Sequence, residues 1–396
     1  MKPRSLLLAP SLAIALIASG QSSTYALEVP SNFISLSEAP VLNHPGIILL
    51  DMTSKEIVYE SEPDVTRAPA SVLKLVSTTS ALKTFGPDKT FSTSISATDK
   101  PNKFVLVGEG DPWLTTSKLE ASKYKRAFLP YLLNSALERS PKMRAISLVY
   151  KNIYYQDIQA IQKYYKGRIK IYPHAITTDQ VIETPLATIT SPKLSSIIDF
   201  TLLWSENLLA ARMSLMAAKE QGYAADSTGI QSSFEKLFSD FEIPAPGLIV
   251  KDGAGLSHET RISARTIAQL LVKIKSEPSL ETIYQGLPLA GISGTLKHRF
   301  IKDAPAGVGL VKAKTGWINT SVSLAGFVNV GESDYAFAVI ADHLANRESV
   351  RQDARVAIDK MLATIAKPTP GSPAPTPNFS TSSADAMDPT IPISND

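Results

Sequence analysis

The chain has 396 residues, more than one compact core usually holds, so a large domain with an insertion, or two domains, is expected. Hydrophobic residues make up 44% and charged residues 19%, as in ordinary globular proteins, and a formal charge of +3 is too small to argue for a polyanionic partner such as nucleic acid. No cysteine occurs, which excludes disulfides, thiolate catalysis and lipoprotein acylation; His44, His174, His258, His298 and His343 show no zinc-helix spacing, so no metal or cofactor is expected unless carboxylates alone supply ligands.

Lys2 and Arg4 precede an apolar run from Leu6 to Ile17 and a small, polar stretch ending at Thr24-Tyr25-Ala26. This predicts a secretory signal peptide over residues 1–26 and an exported protein; an uncleaved anchor is the alternative, although the run falls short of the ~20 residues that span a bilayer. Gly46 to Asp51 and Glu56 to Glu60 read as a hairpin turning at Thr53-Ser54-Lys55. Pro69-Ala70-Ser71 then leads into an apolar helix that ends near Gly86-Pro87.

The character changes from about Phe91 to about Ala187, where a short β-rich stretch with Gly108-Glu109-Gly110-Asp111-Pro112 is followed by a Lys/Tyr-rich amphipathic region and further β-like segments. An inserted domain is expected over 91–187, splitting a main domain into 27–90 and 188–366. Residues 108–111 are not expected to cradle phosphate, since no Lys-Ser/Thr follows and no parallel βαβ unit is anticipated there. Helices are predicted at Ser191 to Lys219, broken near Trp204-Ser205-Glu206-Asn207, and at Ser263 to Ile274 behind a serine cap. Strands at Val308 to Lys314, Val322 to Val330 and Tyr335 to Asp342 precede a helix from Glu348 to Ala366. Residues 367–396, rich in Pro, Ser and Thr, read as a disordered tail or spacer.

Three short patterns carry chemistry. Ser71-Val72-Leu73-Lys74 puts a hydroxyl and an amine at i and i+3, on one helix face. A serine is a poor nucleophile until a base takes its proton, and a desolvated lysine can serve as that base. Ser205-Glu206-Asn207, in the helical break, offers Ser205 as a proton relay and Asn207 as an amide that holds both the substrate and the lysine. Lys314-Thr315-Gly316, on a strand, offers a charge and a hydroxyl to an anionic substrate end, with Gly316 leaving the strand edge bare. The Trp317 amide, with that of Ser71, would form a two-donor oxyanion hole. Asp252 to Ser257 and Gly291 to Gly294 read as glycine turns, and His298 and Arg299 as rim residues.

In this order the three patterns resemble the motifs of the penicillin-binding protein and serine β-lactamase superfamily. The segments Gly108 to Leu114, Ser205 to Ala210, Asp252 to Ser257 and Leu287 to Lys297 narrow the resemblance to the D-alanyl-D-alanine carboxypeptidase/endopeptidase family, the class C low-molecular-mass penicillin-binding proteins, from about Gly46 to Ala366. That likeness implies an α+β (α/β) transpeptidase-type fold, an antiparallel sheet flanked by helices, with an inserted smaller domain. It also implies cleavage of D-Ala-D-Ala in peptidoglycan stem peptides, or of cross-links, through an acyl-enzyme, and β-lactams as covalent inhibitors. Glu206 stands where Asp or a small residue is expected, and Trp317 where Thr or Ser is expected. The short insertion makes cross-link cleavage less secure than carboxypeptidase activity. A serine β-lactamase is the rival enzyme, although no Glu-x-x-Leu-Asn segment is present; a wall-binding module that kept the fold and lost the chemistry is the rival outside catalysis.

Overall fold

The computed structural model describes residues 27–139, 141–176 and 184–372. The expected signal peptide, and residues 373–396 of the expected tail, lie outside the described residues.

In chain order, helix α1 (Ser31–Ser37) precedes the hairpin β1 (Gly46–Asp51) and β2 (Ile57–Ser61), and a 3-10 turn at Ala70–Leu73 opens α2 (Lys74–Phe85). Strands β3 (Ser92–Ala97), β4 (Lys103–Gly108) and β5 (Leu114–Thr115) follow, then α3 (Lys118–Tyr124), β6 (Ala127–Phe128), α4 (Leu129–Leu137), β7 (Ala145–Lys151), α5 (Tyr155–Tyr164), β8 (Lys170–Ala175) and β9 (Ala187–Thr190). Helices α6 (Leu194–Trp204), α7 (Asn207–Glu220), α8 (Ser227–Asp240), α9 (Ala264–Ser276) and α10 (Glu281–Gln285) lead to β10 (Val311–Ile318), β11 (Ser321–Val330), β12 (Ser333–Ala341) and α11 (Glu348–Ala363).

Strands β1, β11 and β12 are buried on both faces over most of their length, which suits the middle of a sheet covered on two sides. They lie inside an antiparallel sheet of order β10-β11-β12-β1-β2. The period-2 alternation divides neighbours between two cores. Ile48, Leu50 and Phe327 pack with Leu75 and Val76 of α2 and Ile267 and Leu271 of α9. On the other face Ile47, Leu49 and Phe337 pack with Phe33 of α1 and Ile358 and Met361 of α11. An antiparallel sheet flanked by helices is therefore what the chain forms.

A second sheet has the order β8-β7-β4-β3-β9. β3 is antiparallel to β4 and β9, whereas β4–β7 and β7–β8 are parallel. The expectation of no parallel βαβ unit near Gly108 is thus wrong: α4 and α5 are crossovers, each with an apolar face laid on the sheet. The sheet also runs to Thr190, past the expected edge at Ala187. Its inner residues Ile95, Leu106 and Leu148 join the same core as α2, α6 and α7.

Three further expectations are corrected. Helix α8 was not anticipated; Asp226 caps it by accepting from the Gly229 amide at 3.0 Å. β10 starts at Val311 rather than Val308, because Pro305–Gly307 and Gly309 (φ 69°) turn the chain just before it. Arg299 is buried rather than at a rim, since its guanidinium is paired to Asp359 of α11.

Candidate active site

Ser71 lies on the 3-10 turn that feeds α2, behind Ala70, whose φ of 48° is left-handed and strained for a residue with a Cβ. Lys74, fully buried at the first position of α2, places Nζ 2.6 Å from Ser71 Oγ. Nζ also donates to Asn207 Oδ1 at 2.7 Å and to the Ala254 carbonyl at 2.9 Å. Burial brings the Lys74 ammonium down to about 7, against the opposing pull of the Asp252 and Glu206 carboxylates.

Asn207 reaches Lys74 because α6 stops at Trp204. Ser205 takes a left-handed φ of 60°, and Glu206 restarts the chain as the cap of α7, accepting from the Leu208 amide at 3.1 Å. On the other side, Lys314 of edge strand β10 is fully buried and donates to Ser205 Oγ at 2.8 Å and to the Thr315 carbonyl at 2.9 Å. Burial, and then the neighbouring Lys74, push the Lys314 ammonium well below the usual lysine range. Thr315 Oγ1 shares a hydrogen bond with Thr295 Oγ1 at 2.9 Å.

The structure therefore brings Ser71, Lys74 and Asn207 into one hydrogen-bonded group, and Ser205, Lys314 and Thr315 into a second beside it. Trp317 is 37% exposed, with the Arg351 guanidinium 5.2 Å from its ring. Gly316 has a different reason from the one expected. A Cβ there would lie 2.0 Å from Ser323 Oγ and 2.7 Å from the Pro69 carbonyl, so the glycine admits the Ser71 turn against β10 rather than baring the strand's outer edge.

The Asp252 to Ser257 turn contributes more than a turn. Asp252 Oδ1 accepts from the amides of Ala254, Gly255 and Leu256, and Oδ2 from that of Ser257, which aims the Ala254 carbonyl at Lys74. The sequence signal was an aspartate followed by glycines: Gly255 has φ 79°, and a Cβ there would lie 1.9 Å from the Ala70 carbonyl. Arg212, five residues after Asn207, was also missed. It donates to Asp157 Oδ1 at 2.6 Å and to the carbonyls of Pro112 and Leu114 at 3.1 and 3.2 Å, tying α7 to the Gly108–Leu114 segment. Asp111, fully buried beside it, accepts from the Trp113 amide at 2.8 Å, and burial pushes its carboxyl up to about 7. Among the described residues no cluster of His, Asp and Glu could hold a metal ion.

Sequence comparisons place the chain in a family, and structure comparisons show a shared fold. The pattern of the D-Ala-D-Ala carboxypeptidase 3 (S13) family matches residues 35–125 and 156–365. A D-alanyl-D-alanine carboxypeptidase from an Actinomadura species is 31% identical over 160 residues, 39% of this chain and 29% of the relative. Carboxypeptidase DacB from Mycolicibacterium smegmatis is 27% identical over 188 residues, 46% of this chain and 39% of the relative. The chain thus aligns with less than half the length of these curated relatives. Penicillin binding protein 4 from Haemophilus influenzae shares the fold with a TM-score of 0.68 at 16% identity, over 84% of this chain and 98% of that one. A predatory peptidoglycan endopeptidase from Bdellovibrio bacteriovorus does so with a TM-score of 0.56 at 15% identity, over 83% and 96%.

Proposed function

Because this chain belongs to the D-Ala-D-Ala carboxypeptidase 3 (S13) family, we propose that it is a serine-type D-Ala-D-Ala carboxypeptidase of peptidoglycan stem peptides, working through an acyl-enzyme on Ser71. The observation that carries this is the 2.6 Å contact between Ser71 Oγ and the buried amine of Lys74. A lysine brought down to about 7 is neutral in a large fraction of molecules near neutral pH, and so can act as a base.

Neutral Lys74 takes the Ser71 proton as Oγ attacks the carbonyl carbon of the penultimate D-Ala. The Ser71 and Trp317 amides hold the oxyanion. Collapse breaks the C–N bond, and the departing D-Ala nitrogen takes a proton from Lys74 through the Ser205 hydroxyl. Water then hydrolyses the ester, its proton going to Lys74 and on to Ser71. Asn207 fixes the Lys74 amine through their 2.7 Å bond and faces the substrate amide from its exposed side. Lys314, Ser205 and Thr315 receive the terminal carboxylate, whose negative charge favours the ammonium form of Lys314. No metal or organic cofactor takes part in this scheme.

A cross-link ending in a D-amino acid presents the same carbonyl, so D,D-endopeptidase action is a second activity of the site; the predatory peptidoglycan endopeptidase from Bdellovibrio bacteriovorus shares the fold. β-Lactams would acylate the same serine, and the N-terminal segment would direct the protein out of the cytoplasm. The test is labelled penicillin followed by intact mass measurement. One label per parent chain and none on Ser71→Ala is expected; equal labelling of Ser71→Ala overturns the assignment. With a muropeptide pentapeptide, D-Ala release separates this reading from a non-catalytic wall-binding module, and fast turnover of a chromogenic cephalosporin would favour a β-lactamase.

A further inference from the structure

A net charge of +3 hides a strong asymmetry. Between Arg139 and Tyr172 stand eight lysines and arginines and one acid, Asp157, which is buried and paired to Arg212. The structure gathers four of these cations on the second sheet. A groove of about 610 Å³ opens at the N-terminal ends of the parallel strands β7 and β8, lined by Arg144, Lys166, Arg168, Lys170 and Tyr172 among others, with no acidic residue in its lining. All five of these side chains are exposed. None of the four cations forms an ion pair with a described residue. The Lys170 amide donates to the Arg144 carbonyl at 2.9 Å, which fixes the two sides of the groove together. Arg168 is held over the rings of Tyr164 and Tyr165 at 5.0 and 4.9 Å, with one nitrogen on the Tyr164 carbonyl at 2.9 Å, and Lys170 lies 5.1 Å from the Tyr172 ring.

We propose that this groove is a second binding site, which holds the carboxylate-bearing strands of peptidoglycan while Ser71 works on a neighbouring stem peptide. The proposal rests on the reading of the chain as a peptidoglycan enzyme. β8 is the outer edge of the second sheet, three strand spacings, or about 14 Å, beyond β3, and none of the residues lining the groove belongs to the group around Ser71. Carboxylates recur along uncross-linked peptidoglycan, one at each stem-peptide end, and a run of lysines and arginines with planar forks meets such a repeat. The surface is concave, and its exposed side chains are cations and tyrosine, with Ile169 and Ile171 turned at least partly inward, which favours a polymer strand over a lipid headgroup layer. A second foothold raises the local concentration of stem peptides at the active site without any new contact to the reacting bond.

The test compares parent protein with a Lys166→Glu/Arg168→Glu/Lys170→Glu variant by co-sedimentation with purified sacculi at low and high salt. The parent is expected to bind with an affinity that falls as salt rises; the variant is expected to lose binding at least about tenfold, because like charges replace the attraction. Penicillin acylation and D-Ala release from a soluble pentapeptide should be unchanged in the variant, which also shows that it folds, whereas D-Ala release from intact sacculi should fall. Lys166→Arg/Lys170→Arg should bind as the parent does. Equal sedimentation of parent and charge-reversed variant overturns the proposal, as does tight binding of the parent to phosphatidylglycerol vesicles without binding to sacculi. Failure of the parent to take penicillin would refute the catalytic reading instead, and leaves sacculus binding to be judged by its own result.

Discussion

Replacing Asn207 by Asp changes one atom in the group that surrounds Lys74. Asn207 Oδ1 accepts from Lys74 Nζ at 2.7 Å; aspartate keeps that acceptor and adds a full negative charge beside the amine. An opposite charge at such range moves a pKa by about 1–3 units toward the charged form. Asn207 is exposed, so solvent screening places the shift near the lower end. Lys74, brought down to about 7 in the parent, then titrates about 1–2 units higher, and its neutral fraction at neutral pH drops roughly 5- to 50-fold. The assay is the second-order rate of acylation by labelled penicillin between pH 5.5 and 10. With the neutral amine as the proposed base, the rate rises with pH: the parent's acid limb should have its midpoint near 7, and the variant's should lie to the alkaline side, with the gap between the two narrowing at high pH. A variant whose limb stays near 7 while its rate falls uniformly would refute the argument, because the titrating group would not be Lys74.

Gly316→Ala places a Cβ 2.0 Å from Ser323 Oγ and 2.7 Å from the Pro69 carbonyl, which must part β10 from the Ser71 turn; a loss of about 1–3 kcal/mol and slowed acylation are expected, and an unchanged melting curve with unchanged acylation would contradict the packing. Arg212→Met leaves the Asp157 carboxylate buried without its partner, at a cost of about 3–5 kcal/mol in urea denaturation; a loss below about 1 kcal/mol would mean that the cluster relaxes freely. Asp111 titrates at about 7 when folded against 3.8 when unfolded, so the folded state binds its proton more tightly, and the parent loses stability as pH rises between those values, the loss being complete above about 7. Asp111→Asn has no such proton. The parent should therefore gain in melting temperature relative to this variant on going from pH 8 to pH 5, and a difference that is the same at both values would show that Asp111 does not titrate in that range.

Much of the candidate site's grouping could be read from the chain because it rests on side chains at fixed local spacing: a hydroxyl and an amine one helical turn apart, and an amide at the restart of a broken helix. What escaped depends on backbone atoms and on contacts distant in sequence. Ala254 contributes only a carbonyl, aimed by four amides on Asp252, and no side chain announces it. Arg212 looked like one more helix residue until the fold brought Asp157 and residues 112–114 against it. α8 had a readable signal, the Asp226 cap with Ile230, Phe234, Leu237 and Phe238 on one face, obscured by Gly229 in its first turn. That glycine is required by packing, since a Cβ would lie 1.8 Å from the Ala224 carbonyl. The parallel crossovers were hidden because β7 and β8 are short and half-buried, and such strands carry no direction in their sequence.

The two helices that supply the reacting group both begin at it. Ser71 and Lys74 stand at the entry to α2, and Asn207 is the first residue of α7. Unpaired amides give a helix N-terminus a partial positive charge, which disfavours a cation there and favours the negative charge that an attacked carbonyl oxygen acquires. In the proposed mechanism the same placement helps burial keep Lys74 neutral and favours the step that follows proton removal. This works only if the two helix starts stay in register to within a hydrogen bond. The register of α7 is set from the far side, by Arg212 on the carbonyls of Pro112 and Leu114 and on Asp157 of α5. The second sheet thus supports the candidate site through α7, although it contributes none of the residues around Ser71. A shortened insertion must therefore keep Gly108–Leu114 and α5 if the base is to stay where it is, whatever else it gives up.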